Sequence, residues 1–349
     1  MVISLQGKME LTDEQLSECK AVISQNQIGM SDTAKAFSCR NIIFILVESY
    51  MSFTSDMRVG GREVTPFLNS LKHSDTVYYN GRMRENVTIG ESSDGQFIYM
   101  AGLLPLRSEV TVAIASDRTL HGLPKMLGRE SRMVIPSLAS VWQQDGMCRQ
   151  YGFDSLYTSN DYGDGHTNTL NDEQVLQLAM QKDRASRQPF FSVVLTMSMH
   201  SPYIEQIDPS FPISAPSMPN DLVCYLNACH YTDRQLERYF EHLRRTGLYD
   251  NSLIVIAADH PVHVTDFGGM GKEVPFYLVN IPRDLRARMW KGECNQIDVY
   301  TTLLDLLGVK SDWYGLGQSL LSPDYSSSIA PKKWDVSEWI IRGDYFLQH

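Results

Sequence analysis

The 349-residue chain has no run of about 18 apolar residues, so nothing in it is long and apolar enough to span a membrane as a helix. Basic residues are scarce: 31 Lys and Arg stand against 41 Asp and Glu, a net charge of −10. No Lys/Arg stripe exists to neutralise a phosphate backbone, which excludes nucleic acid as a partner. CxxC pairs are absent, and Cys19, Cys39, Cys148, Cys224, Cys229 and Cys294 read as unpaired structural thiols rather than a disulfide or zinc framework. Met1–Glu10 does not combine a cationic start with an apolar core, so no signal peptide is expected there. Repeats, low-complexity tracts and composition breaks are also missing. What remains is a 43% apolar chain, enough for one large α/β domain or two ordinary ones.

Two apolar runs, about 210 residues apart, each end in a carboxylate. Asn41–Val47 runs into Glu48, and Ser252–Ala258 runs into Asp259 and His260. Unbroken Ile/Val-rich runs of this length suit strands covered by helices on both faces, the habit of a parallel sheet. Ligands in such sheets bind outside the carboxyl ends of the strands. Further strands are expected at Arg132–Ile135, Pro189–Met197 and Val274–Val279. Helices are expected at Leu11–Asn26 (capped by Thr12), after Thr65-Pro66, and over Ser93–Leu104, Leu120–Leu127, Ser137–Asp145, Asn168–Ala185, Pro219–Thr246 and Ile297–Leu307. The alternation predicts an α/β fold, a three-layer α/β/α sandwich around a mostly parallel sheet. Tyr325–His349 reads as an appended strand or helix.

Between the acidic strand ends lies Gly90-Glu91-Ser92-Ser93-Asp94-Gly95-Gln96-Phe97, a hydroxyl-rich turn opening an apolar helix. Taken alone, Ser92 reads as an ordinary helix cap. Taken with Glu48, Asp259 and His260, it reads as a nucleophile set among free backbone N–H groups at the positive end of a helix.

The motifs, in order, resemble the alkaline phosphatase superfamily, and within it the sulfatase-like branch of lipoteichoic acid synthases and phosphoglycerol or phosphoethanolamine transferases. Thr65-Pro66-Phe67-Leu68-Asn69-Ser70-Leu71, Tyr249-Asp250-Asn251-Ser252 leading to Asp259-His260, Gln296-Ile297-Asp298 leading to Gly308, and Gly317-Gln318-Ser319 carry the resemblance over roughly residues 40–322. It implies one divalent metal, Mn²⁺ first with Mg²⁺, Ca²⁺ or Zn²⁺ as alternatives, held by Glu48, Ser92, Asp259 and His260. Hard oxygen donors with one imidazole suit such ions. The resemblance further implies catalysis by Ser92 and His200 through a covalent phospho-enzyme, with Trp142, His200 and His263 contacting substrate. The substrate class it implies is a phosphorylated lipid head group or a cell-envelope glycan phosphoester, met on the extracytoplasmic side of a membrane. Such enzymes often carry membrane helices ahead of this region, so a membrane-tethered longer form is one expectation and a soluble relative the other.

The match departs at named places. Trp142 is kept, but Gln144 stands where the synthases have a pocket Arg, and Ile135 where they have a pocket His. Ser92-Ser93-Asp94-Gly95-Gln96 lacks the Pro and Arg of the formylglycine sulfatase signature. The expectation is therefore a metal-dependent phosphotransferase or phosphodiesterase. The alternatives are a sulfuric ester hydrolase, or a catalytically silent relative that binds a metal and recognises a glycan. The expected division is an N-terminal helical segment over 1–39, a catalytic domain over 40–322 and a packed extension over 323–349.

Overall fold

A strand made only of Asn, Ile, Phe, Leu and Val side chains has no face that can meet water, and Asn41–Val47 (β1) is buried along its whole length. The computed structural model describes residues 7–26, 37, 40–163, 168–203, 211, 217–262, 267 and 269–348. The remaining strands are β2 (Arg58–Val59), β3 (Arg62–Glu63), β4 (Val77–Arg84), β5 (Glu130–Val134), β6 (Ser155–Tyr157), β7 (Phe190–Leu195), β8 (Ser252–Ala258), β9 (Val274–Val279) and β10 (Cys294–Asn295). Strands β2 and β3 pair with each other, and the other eight form one sheet in the order β10-β4-β9-β8-β1-β7-β5-β6. Only β9 runs against the rest, since it pairs antiparallel with both β8 and β4.

The centre of this sheet positions everything functional. β1 lies between β7 and β8, parallel to both, with Ile42 beside Phe191 on one side and Leu253 on the other. The carboxyl ends of three adjacent strands therefore open at one edge. Helices cover both faces as the sandwich requires. Pro66–Lys72, Asp172–Arg184 and Asn220–Arg245 pack together as one layer, and Ser92–Ala101, Leu123–Leu127 and Asp298–Leu307 as the other. The Ser92–Ala101 and Asp298–Leu307 helices are buried almost all round, because the Asp13–Gln25 and Pro331–Gly343 helices lie beyond that layer and pack on each other. Met9 N donates to Arg342 O at 3.0 Å, and Lys8 Nζ lies 2.5 Å from Asp344 Oδ2.

Two sequence expectations need correction, and one strand went unread. The helix expected over Ser137–Asp145 starts instead at Gln144 and runs to Tyr151, because Trp142 and Gln143 both take left-handed backbone angles (φ 50° and 53°) that a helix cannot pass through. Strand β4, Val-Tyr-Tyr-Asn-Gly-Arg-Met-Arg, has no apolar run and is recognisable only by its pairing with β9. Thr65 precedes the Pro66–Lys72 helix but gives it no capping bond. The cap comes from the long Asn220–Arg245 helix: Asp233 Oδ2 accepts Phe67 N at 2.9 Å and Oδ1 accepts Leu68 N at 2.8 Å.

That long-range cap sets a stability test. Asp233→Ala leaves two buried N–H groups without acceptors, which should cost roughly 2–4 kcal/mol in urea unfolding. A change below about 0.5 kcal/mol, the ordinary range for an inconsequential substitution, would show that the cap carries no weight.

Candidate active site

Glu48 follows β1, Asp259 and His260 follow β8, and Thr196 follows β7, so the parallel register alone delivers these side chains to one place. Backbone bonds then aim them. Glu48 N donates to Thr196 Oγ1 at 3.0 Å, and Ser49 N donates to Asp259 Oδ1 at 2.8 Å. His260 N also donates to Asp259 Oδ1, at 2.8 Å, which occupies that oxygen and leaves Oδ2 facing the other ligand atoms. Ser49 Oγ donates to Glu48 Oε1 at 2.8 Å. His260 Nδ1 lies 2.7 Å from Pro261 O, so one proton sits on Nδ1 and Nε2 is the nitrogen that faces the cluster. Nε2 is 3.4 Å from Glu48 Oε1 and 3.7 Å from Asp259 Oδ2.

Ser92 completes the group from the other direction. Its Oγ lies 3.0 Å from His260 Nε2 and 3.3 Å from Glu48 Oε2, at the first residue of the Ser92–Ala101 helix. The turn before it is folded around Asp94, whose Oδ2 accepts Thr88 N, Thr88 Oγ1 and Gly90 N at 3.0, 2.8 and 3.0 Å. Ser93 Oγ donates to Gly90 O at 2.7 Å. The helix also abuts the end of β8: a Cβ on Gly95 would stand 2.1 Å from Asp259 O, so only glycine permits this approach. On the far side of the same carbonyl, Gln296 Nε2 donates to Asp259 O at 2.6 Å.

Glu48, Asp259 and His260 are all buried, and each offers one ligand atom within 4.8 Å of the others. Two buried carboxylates this close cannot both ionise without a cation. Burial and the neighbouring Glu48 push Asp259 up to about 8. Burial also opposes ionisation of Glu48, but the His260 bond and charge outweigh it and hold that carboxyl at about 2. His260 is raised to about 10 because the two carboxylates outweigh its burial. Two carboxylates, one imidazole and one hydroxyl form a donor set that fits a hard or borderline divalent ion, which would take the place of the protons now stabilising the cluster.

A cleft of about 630 Å³ opens beside Ser92. Glu48, Glu91, Trp142, Gln144, His200 and Tyr203 are among the residues that line it. His200 is exposed, with Nδ1 2.6 Å from Ser201 O. Trp142 is exposed too and is turned outward by its left-handed backbone. Glu91 (φ 46°) and Tyr203 (φ 64°) share that unusual conformation, each at a cost of roughly 1–3 kcal/mol. His263 and His166 lie outside the described residues. His121 and His230 pack against Phe346 and Phe211. Gln144 is at the cleft but tied in a reciprocal amide pair with Gln96, at 3.0 and 3.1 Å. Ile135 is buried and not part of the lining, so its placement in the pocket wall is corrected: the chain turns it into the core, and Pro136 and Ser137 line the cleft instead.

The sequence reading missed the residues that hold this edge. Asp172 is fully buried. Its Oδ1 accepts Met197 N and Ser198 N at 2.7 and 2.8 Å, and its Oδ2 accepts Thr232 Oγ1 at 2.6 Å, fixing the segment that leads to His200. No spacing rule points to such a residue, whereas Thr196, directly after an apolar strand, carries the same positional signal as Glu48.

Residues 40–309 match the sulfatase family. The chain is 29% identical over 322 residues to lipoteichoic acid synthase 1 of Bacillus subtilis, covering 85% of this chain and 50% of that protein. It spans about half the length of the curated relatives it matches. Among solved structures, the lipoteichoic acid synthase LtaP from Listeria monocytogenes superposes with a TM-score of 0.77 at 19% identity, covering 95% of this chain and 98% of that one. Streptococcus pyogenes phosphoglycerol transferase GacH, in complex with sn-glycerol-1-phosphate, gives a TM-score of 0.62 at 16% identity, covering 98% and 95%. These structures share the fold, including the mostly parallel sheet and its two helical layers.

Two outcomes are expected from calorimetric titration with Mn²⁺. Asp259→Ala should abolish binding, since it removes a charged ligand together with the anchor of Ser49 N; unchanged affinity would refute the assignment. For the unaltered chain, Asp259 and His260 hold protons at pH 7 that the ion must displace, so binding should release protons and tighten from pH 6 towards pH 8. A pH-independent affinity without proton release would overturn that account.

Proposed function

The chain belongs to the sulfatase family, in the alkaline phosphatase superfamily, and from that premise we propose that it transfers or hydrolyses a phosphoester with Ser92 as nucleophile. The observation that carries this reading is the position of Ser92 Oγ, within 3.0 Å of His260 Nε2 and 3.3 Å of Glu48 Oε2 at a helix N-terminus. A hydroxyl that merely caps a helix would turn back to its own backbone, whereas this one faces the ligand cluster.

Glu48, Ser92, Asp259 and His260 would hold a divalent metal, with Mn²⁺ the first candidate, and that ion would lower the pKa of the Ser92 hydroxyl and screen the incoming anion. The chain's own residues do the rest. Ser92 Oγ attacks phosphorus, the bond to the departing alcohol breaks, and a phosphoserine forms. The proton leaving the Ser92 hydroxyl ends on the departing oxygen, and we assign its delivery to His200, which lines the same cleft. An acceptor alcohol or water then attacks the phosphoserine and frees Ser92. The positive end of the Ser92–Ala101 helix favours the added negative charge. Trp142 forms part of the substrate wall.

The substrate class is a phosphorylated lipid head group or a cell-envelope glycan phosphoester. The names of the relatives support it, and so does a cleft opening straight onto the nucleophile. None of the described helices is long and apolar enough to cross a membrane. The place of action we propose is the extracytoplasmic side of a membrane, in keeping with envelope substrates.

The reading is tested by incubating the Mn²⁺-loaded chain with a p-nitrophenyl phosphodiester. Release of nitrophenol and an intact-mass increase on Ser92 are expected, and Ser92→Ala should lose both, with turnover falling by about 10³-fold or more. Turnover in Ser92→Ala within about ten-fold of the original would exclude the nucleophile.

A further inference from the structure

Gln296 is fully buried and does not line the cleft, yet it touches both halves of the site. It follows β10, and two strands, β4 and β9, lie between β10 and β8 in the sheet. Its side chain nevertheless ends on the peptide of a ligand residue. Nε2 donates to Asp259 O at 2.6 Å and lies 3.2 Å from Tyr99 Oη and 3.3 Å from Ala258 O. Tyr99 Oη donates its own proton to Ala258 O at 2.7 Å. An amide nitrogen carries two N–H groups, so one is committed to the Asp259 carbonyl and the other is shared between Tyr99 and Ala258. The opposite end of the amide is fixed as well. Oε1 accepts Asn86 N at 2.8 Å, and Asn86 Oδ1 accepts Ile297 N at 3.0 Å.

These partners belong to different parts of the site. Asp259 and His260 are the ligands that follow β8. Tyr99 is on the nucleophile's own helix. Asn86 follows β4 and opens the segment to Thr88 and Gly90, the turn that Asp94 gathers before Ser92. A buried amide needs partners, but neighbouring backbone could supply them. This one spans 37 residues to Asp259, 197 to Tyr99 and 210 to Asn86, and meets all three behind the cluster. With Gly95 pressed on the same carbonyl, one carboxamide fixes the ligand peptide against the helix that carries Ser92. The fit matters because a misplacement of about 1 Å at a reacting group can cost roughly 100-fold in rate.

We propose that Gln296 is a positioning residue: through the Asp259 carbonyl, Tyr99 and Asn86 it holds the ligand pair at a fixed distance from Ser92. The turnover part of this inference rests on the phosphoester reading above, and the metal part stands without it.

The test is Gln296→Met, which keeps the length of the side chain and removes its hydrogen bonds. It is read by calorimetry and by the electron paramagnetic resonance spectrum of bound Mn²⁺. Affinity for Mn²⁺ should fall by about ten-fold or more, and the spectrum should change as the ligand geometry loosens. At saturating Mn²⁺, kcat for the p-nitrophenyl phosphodiester should fall by roughly ten- to a hundred-fold while KM stays within about three-fold, because Gln296 is off the cleft lining. Asp233→Ala is the structural control. It removes a buried cap in the other helical layer and should leave affinity, spectrum and kcat unchanged. Mn²⁺ affinity in Gln296→Met within about two-fold of the original with an unchanged spectrum, or a loss matched by Asp233→Ala, overturns the proposal. If Gln296→Met does not fold, Gln296→Asn, too short to reach Asp259 O and Asn86 N together, takes its place with the same expectations. A chain that folds with neither makes Gln296 a structural residue and also overturns the proposal. If the unaltered chain turns over no phosphodiester, the phosphoester reading fails by itself, and affinity and spectrum alone decide on Gln296. An unaltered chain that binds no Mn²⁺ overturns both.

Discussion

One hydrogen bond, from Ser49 N to Asp259 Oδ1, ties the end of β1 to the end of β8 and fixes the distance between two buried carboxylates. Without it, Glu48 and Asp259 would be free to splay apart and be solvated separately. With it, they stand close enough that their mutual repulsion has to be met by a proton or a cation. The same carboxylate oxygen receives His260 N, so a single atom sets the backbone path on both sides of the sheet's central gap. The energy that holds the arrangement comes from elsewhere, from a β1 strand buried on both faces and paired to both neighbours. The apolar sheet stabilises a polar cluster that would not assemble alone.

The polar cluster is braced from behind as carefully as from the sides. Gln296 and Tyr99 hold the carbonyls of Asp259 and Ala258, and Gly95 lets the nucleophile's helix press directly against that peptide. Asp172 does for the end of β7 what Asp94 does for the turn before Ser92, each using one buried carboxylate to gather several backbone or hydroxyl donors. Three residues of the cleft wall, Glu91, Trp142 and Tyr203, take backbone angles that non-glycine residues rarely adopt. The rigid core tolerates these exceptions because neighbouring bonds over-determine them.

Much of this is legible in the sequence because burial on two faces leaves an unmistakable trace. β1, β7, β8 and β9 are apolar runs, and the residues at their ends can be named from the amino-acid order alone. β4 leaves no such trace, since its tyrosines and asparagine owe their strand conformation to β9 rather than to their own pattern. The misread helix after Ile135 has a local cause. The left-handed angles at Trp142 and Gln143 interrupt a pattern that composition alone would continue. Asp172, Asp233 and Gln296 are illegible for a different reason: they act through bonds that span 25 to 166 residues, and no local period encodes them.

The pairing of Met9 with Arg342, and of Lys8 with Asp344, brings two distant parts of the chain side by side on the outer layer of helices, far in sequence from the strands that carry the cluster. In mechanical terms the two contacts are a clasp on the outer layer: the Asp13–Gln25 and Pro331–Gly343 helices are tied to each other at that end as well as through their packed faces.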